Sequence, residues 1–414
     1  MKEVFVYEAL RTPRAKAKSD GRFAQLLPSD LLEVLYQDID ARHSGVLSHI
    51  DMLELGCVGQ TGSQGGHIAL VSKSRSALIP DKASAHSLNN FCVSGLSAIQ
   101  SAARAIHCGD AELALAGGVE SMSSVPFLAD RATHYQDPHL AQKTRFMPPV
   151  VSADLLATLN AVSRDALDEV TTRSHQRAGR ETGSAAASLI AVRDKDGNVL
   201  LDHNEYVRRD TTAEGLSHLD PAFAELDLAY SPIAKDLLTN AGYGKIVPSH
   251  CVAHCPGMSD GAAVALLGTA SAGRQLGLKP KARIRAMAEA GGDPVQGLTA
   301  GFTAFDLACS RGACRPEDFA CIEAMEAFAI TPVLFEQRYP QIDTVRVNPF
   351  GGHLAKGHPM GASGAILLSA LLDALHSEGA GGKQTTDRAG AKLGAVMAAG
   401  GSGVGSAMIV EAIE

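Results

Sequence analysis

One cysteine near the start of the chain lies where a reactive thiol is expected. Cys92 belongs to the run Asn89-Asn90-Phe91-Cys92-Val93-Ser94-Gly95. From Ser94 to His107 the apolar residues recur at intervals of three and four, which predicts a helix that begins just after the cysteine. The free N–H groups and the positive dipole end of a helix start can lower a thiol pKa to about 3.5–7.5. A lone cysteine is also commonly a buried structural residue, so this turn alone leaves both interpretations open.

A histidine occupies a similar turn in the second half of the chain. Gly357-His358-Pro359 precedes an apolar helix predicted from Ala365 to Leu375. Each half also has an apolar strand that ends in glycines, at 112–118 and at 394–403. Imidazole exchanges protons near neutral pH and can activate a thiol. A cysteine turn and a histidine turn on equivalent positions of two duplicated halves therefore predict a shared nucleophilic site at their pseudo-twofold axis.

The elements around these turns alternate between strands and helices, which predicts an α/β fold with a mostly parallel central sheet. Residues 121 to about 250 are richer in proline and charge, and the helical run Arg164–Arg180 within them indicates a folded insertion over the site. Residues 251–270 return to an apolar strand pattern that would complete the first sheet. The predicted strands are Val4–Tyr7, Met52–Val58, Ala83–Asn89, Ala111–Ala116, Ala282–Ala288, Phe319–Glu323, Val345–Asn348 and Leu393–Ala399.

Composition excludes several classes of function. The 414 residues are 45% hydrophobic and 20% charged, as in an ordinary globular protein of two to three domains. A net charge of −8 argues against nucleic-acid binding. The chain runs directly into a strand and has no apolar run of membrane-spanning length, so we expect no signal peptide, no membrane span and a cytoplasmic protein. The eight cysteines form neither a disulfide framework nor a tetrahedral metal set, so no metal is expected.

The sequence resembles the thiolase family, the acyl-CoA C-acyltransferases, over nearly its whole length. The resemblance implies a five-layer αβαβα sandwich of two duplicated halves with an inserted loop domain. Residues 1–120 and 251–272 would form the N-terminal half, 121–250 the loop domain and 273–414 the C-terminal half. A homodimer or homotetramer is also implied. The matching motifs are Glu8–Arg14, Gly117–Ser123, Ser163–Asp165, Arg173–Ala178, Asp210–Thr212, Ser259–Ala263 and Gly357–Pro359.

The resemblance also assigns roles at the centre. Cys92 would take an acyl group from acetyl-CoA or another acyl-CoA, and His358 would accept the thiol proton and then help bind the thioester oxygen. The backbone N–H groups of Gly401 and Cys92 would form an oxyanion hole. Glu326 would orient a water molecule or the main chain. Coenzyme A thioesters are then substrates in acyl-CoA and fatty-acid metabolism, and no separate cofactor is expected.

Two positions depart from the family pattern. The family usually has Asn-Glu-Ala-Phe, whose asparagine holds a water at the thioester oxygen, whereas this chain has Met325 there. The family also has a second cysteine that exchanges a proton with the acceptor carbon, and the best-matching position is Ala399, or Ala398 one residue earlier. Such losses typically cost about 10²–10³ and about 10²–10⁴ in rate. The proton relay is therefore expected to be altered.

Other side chains have two possible roles each. His254 and Cys255 would either form a substitute relay near the pantetheine or belong to a packed loop. His353 is another relay candidate, but we expect a loop or rim histidine. A basic group in the insertion would bind the CoA phosphates or form a solvated surface. Its members are Arg131, His134, His139, Lys143 and Arg145.

Three functions follow from these residues. The first is a thiolase-type C-acyltransferase with an altered proton relay. The second is an acyltransferase or thioester hydrolase without carbon–carbon chemistry. The third is a catalytically decayed CoA-binding or scaffold subunit. Cys92 and His358 favour an enzyme, whereas Met325 and Ala399 favour the decayed subunit.

Overall fold

The first part of the chain forms strands and helices in alternation. The structure, a computed structural model, describes residues 2–181, 186–377, 386–387 and 390–413. Helix formation follows local signals: α1 has Pro28 in its first turn, and the Asp30 carboxylate accepts a hydrogen bond from Leu27 N at 2.7 Å. The elements are β1 (Phe5–Arg11), β2 (Ala15–Lys16), α1 (Pro28–Arg42), β3 (Met52–Gly56), α2 (Ile68–Arg75), β4 (Ser84–Leu88), α3 (Ser94–Cys108) and β5 (Leu113–Ser121).

The region after β5 is mostly helical and contributes a small two-stranded ribbon. Its elements are α4 (Thr133–Gln136), α5 (Pro138–Thr144), α6 (Pro149–Leu159), α7 (Arg164–Ala178), β6 (Val192–Arg193), β7 (Val199–Leu201), α8 (Ala213–Ser217), α9 (Ala224–Tyr230) and α10 (Lys235–Asn240).

The rest of the chain returns to strands and helices. Its elements are β8 (Ser259–Gly268), α11 (Ala270–Gln275), β9 (Ala282–Gly291), α12 (Ala300–Gly312), β10 (Phe319–Ala324), α13 (Ile330–Arg338), α14 (His353–Lys356), α15 (Ser363–His376), β11 (Leu393–Gly400) and β12 (Val404–Ala412). None of the described helices is long and apolar enough to cross a membrane.

The strands form a 10-stranded mixed sheet in the order β10-β11-β12-β9-β1-β8-β5-β3-β4, with β2 paired to β8. The two half-sheets meet where Phe5 and Val6 of β1 pair with Arg283 and Ala282 of β9. Parallel pairing is confined to β3–β4, β3–β5 and β10–β11 in the described ladders, so the prediction of a mostly parallel sheet is wrong. The turn Gly401–Gly403 between β11 and β12 is too short for a parallel crossover, so these strands must be antiparallel.

Helices α3 and α15 pack against each other between the two half-sheets and share one apolar core with them. A second core lies between α1, α2 and the outer face of the first half-sheet, and a third lies between α12 and the second. The resulting five layers confirm the predicted α/β architecture. Residues Val345–Asn348 do not form the predicted strand: Thr344–Arg346 is a single 3₁₀ turn, and only Val347 bridges to β10.

Candidate active site

Cys92 lies in a tight turn two residues before α3. Phe91 adopts a left-handed conformation with φ of 48°, and its N–H donates to the Asn89 side-chain oxygen at 2.9 Å. The Ser94 hydroxyl accepts a hydrogen bond from Asn90 N at 2.8 Å. These local bonds compensate for the strained backbone and fix the position of the thiol.

The turn after β11 approaches the same sulfur from the second half. The nearby backbone N–H groups of Gly401 and Cys92 favour the ionised form of the Cys92 sulfur. A Cβ on Gly400 would be crowded, because it would lie 2.8 Å from Val404 Cγ2 and 3.3 Å from Cys92 N. Glycine at this position therefore permits the close backbone approach that brings two donors to one sulfur.

His358 is held by both its backbone and its ring. The backbone N–H of His358 donates to the Gly257 carbonyl at 2.8 Å, and the ring Nδ1 lies 2.8 Å from the Ser363 hydroxyl. Burial, with a smaller effect of the Arg14 charge, lowers the His358 pKa to about 3. The imidazole is therefore neutral at physiological pH, and Nε2 remains the nitrogen available for proton transfer.

One cavity of about 310 Å³ joins Cys92 and His358. Met360 closes the space between their loops, with its sulfur 3.8 Å from Cys92 Sγ. The wall is largely apolar and aromatic, and Glu120 and Asp130 are the charged side chains in its described part. A thioester carbonyl that enters this cavity would meet a thiol, a neutral imidazole and backbone donors together.

Glu120 is a wall residue whose importance the sequence reasoning missed. Its buried carboxylate accepts four hydrogen bonds of 2.7–2.9 Å, one of them from the Gln64 amide. The other donors are backbone N–H groups, of Val58, Gly59 and Gly361. Since Gly361 follows the His358 loop, Glu120 ties that loop to the first half. The motif Gly117–Ser123 was the available signal, but it carried the family resemblance and no assigned role.

The predicted low pKa of Cys92 is wrong. Burial and the nearby Glu120 carboxylate raise the pKa of the Cys92 thiol to about 12, and the N–H groups of Gly401 and Cys92 only partly offset this. Helix α3 begins two residues further on, and the apolar cavity disfavours a charged sulfur. Cys92 is therefore a neutral thiol in the same cavity as a neutral imidazole.

Comparison with protein families gives the identity of this arrangement. Residues 4–226 match the model of the thiolase N-terminal domain, and residues 278–412 match that of the thiolase C-terminal domain. The chain belongs to the thiolase family. Its members are acyltransferases.

Individual relatives agree with this assignment. The chain is 32% identical to a β-ketoadipyl-CoA thiolase of Pseudomonas aeruginosa, with 100% of both chains covered. It is 33% identical to a 3-ketoacyl-CoA thiolase of Klebsiella pneumoniae over 92% of this chain and 94% of the relative. The crystal structure of the Bacillus anthracis acetyl-CoA acetyltransferase superposes with a TM-score of 0.77 at 26% identity, covering 100% of this chain and 99% of the other.

In this thiolase the Glu326 carboxylate is held by two side chains and one backbone N–H group. It accepts hydrogen bonds from Ser174 Oγ at 2.7 Å, Asn348 Nδ2 at 3.0 Å and Leu354 N at 3.1 Å. The side chain does not line the described cavity, although the next two residues, Ala327 and Phe328, do. Glu326 therefore fixes the loop that leads to His358.

The two departures from the family pattern lie in buried positions. Met325 belongs to the central core and is 2% exposed. Ala399 does not face Cys92, because its Cβ lies only 3.0 Å from where a Cβ on Gly301 of α12 would stand. Ala398 instead belongs to the central core against which Cys92 packs. A strand alternates its faces, so Ala398 and not Ala399 shares a face with Gly400, although neither alanine lines the described cavity.

His254 does not line the described cavity, so it is not placed to form the His–Cys relay with Cys255 that the sequence allows. His254 Nε2 lies 2.7 Å from Asp168 of α7, and its Nδ1 accepts a hydrogen bond from Cys251 N at 3.2 Å. Both ring nitrogens are thus engaged away from the cavity, and burial lowers the His254 pKa to about 4. Cys255 does line the cavity, and burial raises its thiol pKa.

His353 is not the rim histidine that we expected. It is fully buried at the start of α14, with its ring centroid 5.2 Å from that of His358. Burial keeps its pKa well below the usual value, so it is neutral. Within the described residues it lies behind His358 and not in the cavity wall.

The predicted CoA-binding group lies beside the cavity. Its members Arg131, His134, His139, Lys143 and Arg145 do not line the described wall, although the interspersed Asp130, Tyr135 and Phe146 do. The Arg145 guanidinium pairs with Asp293 at 3.2 Å, and His134 packs against Phe146 with centroids 5.1 Å apart. In the described part of the chain, no cluster of three or more His, Cys, Asp or Glu side chains could hold a metal ion.

Proposed function

We propose that this thiolase transfers acyl groups between CoA thioesters through a covalent thioester on Cys92. The observation that carries the proposal is the cavity shared by Cys92, His358 and Gly401, in which the backbone N–H groups of Gly401 and Cys92 favour an ionised sulfur. A thiol needs a base, and a carbonyl under attack needs donors for its developing negative charge. The cavity supports the proposal because it offers the Cys92 thiol both a base and nearby hydrogen-bond donors.

The first half-reaction follows from the neutral state of both groups. The Cys92 sulfur attacks the thioester carbon while its proton passes to His358 Nε2. The carbonyl oxygen becomes an oxyanion that the Gly401 and Cys92 N–H groups can stabilise. The carbon–sulfur bond to CoA then breaks, and the CoA thiolate takes the proton back from His358. The products are acyl-Cys92 and free CoA, and the enzyme returns to its original charge.

The second half-reaction is where the relay is altered. Carbon–carbon bond formation requires a base for the acceptor α-carbon, and alanine at 398 or 399 provides none. Cys255 is the other thiol in the described cavity wall. A thiol with a raised pKa retains its proton and can donate it to the carbanion that leaves when a carbon–carbon bond is cleaved, so Cys255 is our candidate for the substitute acid in that direction.

A second candidate function is acyl transfer to water or to another acceptor that is not carbon. The buried Met325 favours it, because a thioether cannot donate a hydrogen bond to orient the water that the family usually places at the thioester oxygen. Acylation of Cys92 would survive under this alternative, and only the fate of the acyl group would differ.

The experiment is to incubate the protein with acetyl-CoA or acetoacetyl-CoA, weigh the intact chain and follow the CoA products. We expect an acetyl adduct that Cys92→Ala abolishes and Cys255→Ala retains. Carbon–carbon bond formation or cleavage would support the C-acyltransferase, whereas release of free acid would support the hydrolase. Absence of any adduct would overturn both and favour a decayed CoA-binding subunit.

The proposed assembly is a homodimer or homotetramer. Strand β4 is at the edge of the sheet and pairs with β3 alone in the described ladders, which leaves backbone groups that a second copy could engage. Light scattering of the purified protein is expected to give at least twice the monomer mass. A monomeric mass would contradict this assembly.

A further inference from the structure

Aromatic side chains form a large part of the wall of the cavity that holds Cys92. The protein has 12 Phe, 7 Tyr and no Trp, and six of these aromatic residues line the cavity that holds Cys92. Those six are Phe91, Phe127, Tyr135, Phe146, Phe223 and Phe328. Because aromatic side chains bury large apolar areas, their convergence beside Cys92 indicates a sizeable apolar occupant.

The same wall has no cation in its described part, and its charged members Glu120 and Asp130 are both acidic. Two buried cations near the His358 turn already have partners: Lys356 pairs with Glu181 at 2.8 Å. Arg14 donates to the Gly357 carbonyl at 2.8 Å. Among the described residues, therefore, no positive group lines the cavity into which an acyl group on Cys92 would extend.

We propose that the acyl group carried by Cys92 is uncharged and apolar and extends well beyond acetyl, and that this cavity rejects acyl groups ending in a carboxylate. This inference rests on the proposed function, since it concerns the group that Cys92 accepts. Each buried methylene favours binding by about fourfold. A carboxylate would lose its hydration without gaining a cation and would also face Asp130.

The test uses three CoA thioesters on the wild-type protein: acetyl-CoA, hexanoyl-CoA and adipoyl-CoA. Hexanoyl and adipoyl groups have equal carbon numbers and differ at the terminus, which is a methyl in one and a carboxylate in the other. The rate of Cys92 acylation at low thioester concentration is measured by intact mass. We expect hexanoyl-CoA to exceed both of the others by at least about tenfold.

A variant tests whether the missing cation causes the rejection. Leu128 is a wall residue that is 40% exposed, so a guanidinium there can remain hydrated in the free protein. Leu128→Arg should raise the adipoyl-to-hexanoyl rate ratio severalfold. The matched control is Leu70→Arg on α2, outside the described wall, where a leucine is 45% exposed; it should leave the ratio unchanged.

The outcomes separate the two proposals. If none of the three thioesters acylates Cys92, the proposed function fails and the inference fails with it. If Cys92 is acylated but adipoyl-CoA matches or exceeds hexanoyl-CoA, the function stands and the inference is overturned. A preference for acetyl-CoA over hexanoyl-CoA would overturn it as well.

Discussion

At the scale of single residues, the reactive pair is uncharged. The Cys92 pKa of about 12 lies above that of an ordinary thiol, and the His358 pKa of about 3 lies below that of an ordinary imidazole. A thiolate–imidazolium pair is therefore disfavoured before substrate binds, and proton transfer must accompany attack on the thioester. An apolar cavity that suits an acyl chain thus also keeps the sulfur from ionising prematurely.

The pH dependence of alkylation checks this state. Because the thiol pKa is raised, the thiolate fraction should increase about tenfold per pH unit between about pH 7 and about pH 10. We expect the rate of Cys92 modification by iodoacetamide to rise across this interval without a plateau. Cys92→Ser measures the background from the other cysteines, such as the exposed Cys108. A plateau near neutral pH would mean that the thiol is already ionised.

At the scale of elements, the alternation of strand β11 turns its two neighbouring alanines toward different partners. Gly400 at its end faces the Cys92 backbone, and Ala398 lies two residues earlier on the same face. Ala399 faces α12. Strand alternation therefore makes the two neighbouring alanines inequivalent, although they look interchangeable in the sequence.

Substitution with cysteine separates the two positions. Ala398→Cys would put a thiol on the face of β11 that packs toward Cys92, so we expect acetoacetyl-CoA cleavage to rise. A correctly positioned acid or base typically contributes about 10²–10⁴ in rate, so the increase in cleavage rate should not exceed this range. Ala399→Cys is the matched control and should give no gain, since its thiol would point at α12. An equal gain in both variants would contradict this assignment of faces.

At the scale of the whole molecule, buried ion pairs join parts that are distant in sequence. Arg11 of β1 pairs with Asp373 of α15 at 2.7 Å and with Glu181, just after α7, at 3.0 Å. Lys356 of α14 pairs with the same Glu181 at 2.8 Å. One network thus holds both halves and the insertion together next to the His358 loop.

Removal of one partner should be costly. Asp373→Ala would leave Arg11 buried with fewer compensating charges, and breaking such a pair typically costs about 3–5 kcal/mol of unfolding free energy. Chemical denaturation measures this loss. Asp202→Ala, which removes the exposed pair with His203, should leave the free energy of unfolding nearly unchanged. Equal effects of the two substitutions would argue against a stabilising network.

The sequence was sufficient for the family, the α/β class and the two reactive turns. Local spacing in the sequence is enough to indicate the helical periodicity after Cys92, the Gly-His-Pro turn and the ordered motifs. The roles of the individual site residues stay predictions. Even so, the duplicated pattern correctly indicated that Cys92 and His358 would share one cavity.

Tertiary structure decided the electrostatics and the direction of side chains. The high pKa of Cys92 depends on burial and on Glu120, which is distant in sequence and reaches the site from β5. Packing between separate elements turns His254 toward Asp168 and buries His353. It also determines that Ala398, and not Ala399, lies in the central core. Local spacing fixes where a residue lies along its own element, whereas desolvation and long-range charge depend on what the rest of the chain brings beside it.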